Sequence, residues 1–385
     1  MVVRRIRSGL IGAVVAAVLG GAALGTPAVA ASEVRAGKPA GHGRTQAALE
    51  ESVKGGAGVL IRSTDRNRAW KSSAGVSDLT TQTPRGADDT FRAGSITKTF
   101  VATVLLQLEA EGRLNLDDPV ERWLPGTIHG NGFDGSRITV RQLLNHTSGL
   151  RDAQNDPEVR SLTTGQGFLE HRYDSWTREQ LIAGALRQTS AGNPEQGKHY
   201  YSNTNYTLAG MVIEKVTGRS WATEIERRII RPLHLRSTRL PGADPHMPAP
   251  HSRAYRKVLA PANPEPFDVT EFNPSLFTSA GDLISTAEDL NRFYRALLGG
   301  RLLQPAQLAE MKTTVDSGGG TGYGLGLSFL TLDTCKVTLW GHIGRVAGSF
   351  TVAGATEDGS RSTVINFNSD WNTNPSHIID AEFCS

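Results

Sequence analysis

A serine three residues ahead of a lysine is the first spacing in this chain that could do chemistry. Ser95 and Lys98 lie in Phe91-Arg92-Ala93-Gly94-Ser95-Ile96-Thr97-Lys98, where a strand-like run gives way to a long apolar helix pattern. Residues three apart share a helix face, so the hydroxyl and the amine can meet. A serine hydroxyl is a poor nucleophile until a base takes its proton. Lysine can do so only when neutral, and burial or neighbouring positive charge moves it that way. The free N–H groups of a first helical turn favour negative charge, which suits an oxyanion forming at Ser95. Alone the pair is weak, because a chain of 385 residues should hold about one by chance. A capping serine beside a solvated lysine would read the same way.

Two further motifs follow in order. Tyr201-Ser202-Asn203 is the only Tyr-x-Asn in the chain, and His342-Ile343-Gly344 is the only His-x-Gly. Tyrosine and lysine can share a proton when both are partly desolvated. Gly344, inside a strand pattern, would let a substrate backbone lie close. The bland alternative for Tyr201 and Asn203 is a helix-entry turn packed by aromatics. Lys54-Gly55-Gly56 competes with the third motif but sits in a loop before the first strand. His146, between a helix end and a Ser-Gly turn, reads as a hydrogen-bonding brace.

These residues need elements to carry them. Residues 1–30 have Arg4, Arg5 and Arg7, an apolar run and then Ala28-Val29-Ala30, the plan of a secretory signal peptide. The run is short for a bilayer span. Cleavage near Ala30 is therefore expected, giving a secreted protein with no stable membrane anchor; Arg4-Arg5 leaves Sec or twin-arginine export open. Removing the segment leaves 38 basic and 38 acidic residues, so nothing points to nucleic acid or to a membrane surface. Residues 31–56 read as a flexible lead-in, within which Thr45–Lys54 can form a short helix. Two strands then form a hairpin over 57–75, and the catalytic domain runs over 57–385. Helices are expected at Ile96–Glu111, Thr139–Leu144, Arg178–Arg187, Leu208–Val216, Trp221–Arg228 and Thr286–Leu298. Residues 151–180 look irregular and 241–266 a proline-rich loop. Strands return after Gly322. The pattern predicts an α/β (α+β) fold: one antiparallel sheet built from N- and C-terminal strands, flanked by helices, with a mostly helical insertion over approximately 115–275. Cys335 and Cys384 most simply form one disulfide in an exported protein. They lack a His cluster for zinc, and no metal or organic cofactor is called for.

Taken together, the three motifs resemble those of the serine penicillin-recognising enzymes, in particular exported D-alanyl-D-alanine carboxypeptidases related to class C β-lactamases. The likeness runs from about Ala57 to Cys384. It includes Phe91-Arg92-Ala93-Gly94-Ser95, Ile138–Leu144, Tyr201-Ser202-Asn203-Thr204-Asn205, Tyr323-Gly324-Leu325-Gly326-Leu327 and the late cysteine pair, a disulfide in that group. The resemblance implies that Ser95 forms an acyl-enzyme and that Lys98 takes its proton. Tyr201 would shuttle that proton to the leaving amine, and Asn203 would bind the substrate amide. His342 would support Tyr201, Gly344 would admit substrate, and the N–H groups of Ser95 and Arg345 would form the oxyanion hole. It also implies peptidoglycan stem peptides as substrates and β-lactams as inhibitors. Two departures stand out. Ile343 replaces the usual hydroxyl residue of His-Thr-Gly, and Arg345 replaces Thr or Ser. Those hydroxyls help hold a substrate carboxylate. Arg345 could grip it instead, or could serve through its backbone alone. An esterase or D-aminopeptidase is the alternative, and a catalytically silent binding protein the third reading.

Overall fold

A computed structural model describes residues 41–192, 197–257, 265–318 and 321–384. Residues 1–30, expected to be a signal peptide, residues 31–40 of the lead-in, and parts of the turns expected at 192–194 and 318–320 lie outside them.

Strands β1 (Gly58–Asp65) and β2 (Arg68–Gly75) form the opening hairpin. The other six sheet strands come late: β3 (Val315–Gly318), β4 (Thr321–Tyr323), β5 (Ser328–Thr331), β6 (Thr338–Val346), β7 (Ser349–Thr356) and β8 (Arg361–Phe367). They make one antiparallel eight-stranded sheet in the order β2-β1-β8-β7-β6-β5-β4-β3. Both ends of the domain thus meet at β1 and β8, where Val59 lies opposite Phe367.

Helices cover both faces. On one side lie α1 (Gly43–Ser52), which buries Leu49, and at the other end of the chain the last helix, Ser376–Phe383, which buries Ile379 and Phe383. The folded domain therefore begins before Ala57: the described part of the lead-in is a packed helix, and His42 stacks on Trp70 of β2 at 4.3 Å. On the other side lies α2 (Thr97–Ala110), where every residue from Thr97 to Leu106 is buried. A helix apolar all round belongs in a core, and this one sits between the sheet and the helical region.

That region holds α3 (Val140–Leu144), α4 (Pro157–Thr163), α5 (Gly165–His171), α6 (Arg178–Leu186) and α7 (Asn203–Thr217), whereas α8 (Ala287–Leu298) packs directly on β1, β7 and β8. Thr139 and Thr177 start α3 and α6 with reciprocal capping boxes, and Gly218 ends α7 in a left-handed conformation. Residues 151–180 are not irregular throughout. Asp156 caps α4 and Pro157 opens it, a start signal hidden in a polar stretch. Residues 241–266 also carry part of a small hairpin, Tyr255–Lys257 against Pro266–Asp268. The Cys335 and Cys384 sulfurs are bonded, tying the last helix, here α9, to the turn before β6. Among the described residues no helix is long and apolar enough to cross a membrane.

Candidate active site

Ser95 sits in the tight turn Gly94–Ile96 that leads into α2, and Lys98 lies in the first turn of that helix. Lys98 has no solvent exposure. Its Nζ lies 2.9 Å from Ser95 Oγ, 2.7 Å from Asn203 Oδ1 and 2.8 Å from the Ala280 carbonyl oxygen. A neutral amine fits this setting closely. Its two hydrogens go to the two carbonyl-type oxygens, and its lone pair is left for the Ser95 proton. Burial pulls the Lys98 pKa down to about 7, against the opposing pull of the Asp152 carboxylate.

Asp152 was not singled out from the sequence. It lies 8% exposed and accepts both the backbone N–H and the side-chain N–H of Asn203, at 3.0 and 2.9 Å. It thus caps the N-terminus of α7, where an anion is favoured, and fixes which end of the Asn203 amide meets Lys98. The sequence offers no signal for this beyond an aspartate in a loop. Asn203 has a positioning role beside its expected one. Its oxygen accepts from Lys98 and one amide N–H goes to Asp152, so it positions the lysine, while the residue also lines the cavity.

Tyr201 closes the opposite side. Lys98 Nζ lies 4.9 Å from the centre of its ring, and Tyr201 faces Ser95 across the cavity that both line. Desolvation raises the tyrosine's pKa, so it stays protonated when Lys98 loses its proton. Of the two, the lysine is the better placed to take a proton. His146 is fully buried behind Tyr201, ring centres 4.2 Å apart, and its Nδ1 accepts from Ser202 N–H and the Asn205 amide. Burial holds its pKa well below the usual imidazole value.

His342 corrects an expectation. It does not hydrogen-bond with Tyr201: the two ring centres are 6.4 Å apart. Its Nε2 instead accepts from the Tyr323 hydroxyl at 2.7 Å, while Nδ1 donates to the Ile343 carbonyl. Burial and nearby Lys98 lower its pKa to about 3, so it is neutral. The reason is topological. Tyr323 on β4 reaches the same face of the sheet and takes the place next to His342.

The strand β6 passes against Ser95 with no room for side chains. A Cβ on Gly344 would lie 1.8 Å from the Ala93 carbonyl oxygen. Gly94, at φ +56°, would bring a Cβ within 2.9 Å of the Arg345 nitrogen. The amides of Ser95 and Arg345 therefore come together, a geometry suited to an oxyanion hole. The Arg345 side chain goes elsewhere. It shares the α9 face of the sheet with its cross-strand partner Phe350, and its guanidinium lies 3.8 Å over that ring. Beyond Gly341, β6 has lost its partner β5, so His342–Val346 pair only with β7. This open edge borders a cavity of about 560 Å³ lined by Ser95, Tyr201, Asn203, Tyr323, His342 and Arg345.

A family model described as Beta-lactamase matches residues 45–381. The chain belongs to the beta-lactamase family. Within it, the fold is shared with a D-stereospecific amidohydrolase from Streptomyces sp., 50% identical, TM-score 0.84, covering 89% of this chain and 98% of that one. A D-amino acid amidase from Ochrobactrum anthropi SV3 is 28% identical with a TM-score of 0.75, covering 88% and 97%. A penicillin-binding protein from Bacillus subtilis is 29% identical over 187 residues, 48% of this chain and 38% of that protein. The chain thus spans well under half the length of that curated relative. Like others of the beta-lactamase family, it is a serine hydrolase that works by acyl transfer.

Proposed function

We propose that this serine hydrolase cleaves amides and esters of D-amino acids through an acyl-enzyme on Ser95. The observation that carries the reading is the Ser95–Lys98–Tyr201 arrangement, in a chain half identical to a D-stereospecific amidohydrolase over nearly its full length. Neutral Lys98 takes the Ser95 proton as Oγ bonds to the substrate carbonyl carbon. The oxyanion forms between the amides of Ser95 and Arg345. As the C–N bond breaks, protonated Tyr201 gives its proton to the leaving nitrogen and regains one from Lys98. Water then releases the D-acid by the same path reversed. The signal-like segment 1–30 supports action outside the cytoplasm.

Terminal D-alanine removal from cell-wall peptides is the second reading, favoured by likeness to penicillin-binding proteins. It is weakened by Ile343, which has no hydroxyl, and by the Arg345 guanidinium, which rests on Phe350 on the sheet face away from Ser95. The test compares D-alaninamide, L-alaninamide and a D-alanyl-D-alanine peptide, with mass spectrometry of the acyl-enzyme. Turnover of the D-amide, with an adduct on Ser95 that Ser95→Ala abolishes, is expected. Preferred turnover of the free-carboxylate peptide would move the assignment to the carboxypeptidase.

A further inference from the structure

We infer that the catalytic cavity has a second arm, walled by Leu330, Ile343, Val352 and Ile379, that receives an apolar leaving group whose carboxyl is masked as amide or ester. This rests on the proposed D-amide chemistry and specifies its leaving side. Among the described residues four large apolar or aromatic side chains are prominently exposed. Three of them, Tyr201, Leu330 and Ile343, line this one cavity, at 38%, 44% and 51% exposure. Single exposed apolar residues need no explanation, but a cluster in a cleft marks a binding site.

The sheet register explains the arm. Leu330 lies opposite Leu339, and Ile343 opposite Val352, so all four share the α9 face. Between these rows, Gly341 pairs with Gly354; the two strands approach too closely there for a Cβ, so bare backbone floors this part of the cavity. Ile379 of α9 closes the far wall.

Tyr201 decides which part of the substrate enters. Its hydroxyl is the proton donor, and its ring stands beside His342 and Tyr323, at 6.4 and 6.0 Å. The leaving nitrogen therefore departs along β6 from Arg345 toward His342 and Ile343, away from the turn that follows Val346. A residue attached to that nitrogen continues past Ile343 toward Leu330. Side chains of an extended segment alternate between the faces of a sheet, so this path can seat one over that bare backbone. The charge on this face is already engaged. Among the described residues Arg345 is the one arginine or lysine lining the cavity; its guanidinium leans over Phe350 on β7, away from the open edge, and the Asp370 carboxylate acts on it. His342 is neutral, and burial lowers the His199 pKa.

The test holds the acyl part constant as D-alanyl and varies the leaving group: ammonia, leucinamide or leucine with its free carboxylate. The expected kcat/KM for D-alanyl-leucinamide exceeds that for D-alanyl-leucine by at least about tenfold. Leu330→Ser and Ile343→Thr should each lower the ratio of leucinamide to ammonia turnover by about tenfold, the scale of losing apolar contacts in a pocket. Using a ratio cancels general damage to the variants. A preference for the free carboxylate, or a ratio unmoved by both variants while D-alaninamide is still cleaved, overturns the apolar arm alone. Absence of D-alaninamide turnover and of a Ser95 adduct overturns the proposed function, and the arm with it.

Discussion

Burial drives Lys98 toward its neutral form while Asp152 pulls it back toward the cation, and the balance lands near neutral pH. An ordinary lysine titrates near 10.4. Because the base form is the active one, kcat/KM for D-amides should rise with pH through about 7 and then level. A profile flat from pH 5 to 9 would count against Lys98 as the base. Asp152→Asn removes the negative charge that favours the ammonium. The Lys98 pKa then falls further, and the acid limb of the profile moves to lower pH. The same change weakens the grip on Asn203. Hydrogen bonds to a charged group are worth about 1.5–3 kcal/mol, so a loss of about ten- to a hundredfold in kcat/KM is expected. A purely structural Asp152 would lower activity without moving the limb. Lys98→Ala and Tyr201→Phe should each slow acylation strongly. The double variant should be little worse than either, since residues acting as a unit are non-additive; fully additive losses in single-turnover kinetics would argue for separate roles.

At the scale of elements, the site depends on how closely β6 passes the turn before α2. Gly344→Ala puts a methyl where the Ala93 carbonyl oxygen now stands. The turn must retreat from the strand, carrying Ser95 away from the Arg345 amide. Overpacking of this kind costs about 1–3 kcal/mol, readable in denaturant unfolding. Activity should suffer more, by about a hundredfold, because misplacing a reacting group by an ångström has that effect. Near-normal kcat with normal stability would mean the strand tolerates the methyl, and would remove the argument for an enforced close approach.

At the scale of the whole described domain, its first and last helices are fastened to one sheet. Cys335 and Cys384 are 49 residues apart in sequence, and their bond encloses β6, β7, β8 and α9. Closing a loop of that length stabilises by about 4 kcal/mol in the chain-entropy account. Cys384→Ser should therefore lower the denaturant midpoint markedly, and reducing agent should lower that of the wild type but not of the variant. α9 also supplies Ile379 to the proposed leaving-group arm, so the bridge holds one wall of the cavity.

Short-range facts were legible in the residues themselves. Helical geometry puts Ser95 and Lys98 on one turn, and terminal strand patterns around a helical middle imply one sheet built from both ends. Threonines mark the starts of α3, α6 and α8, and glycines the ends of α7 and α8, since such signals act within four residues. Partnerships made across the fold were not legible. Asp152 meets Asn203 across 51 positions, and Ala280 meets Lys98 across 182. Neither carries a local mark, because a loop aspartate and a backbone carbonyl look alike wherever they occur. His342 likewise could be assigned to a strand but not to a partner, because β4 had to be placed before Tyr323 could claim it. Strand alternation determined that Ile343 and Arg345 share one face and His342 the other. Only the tertiary structure decided that Ser95 stands on the His342 side, because that follows from which face α2 covers.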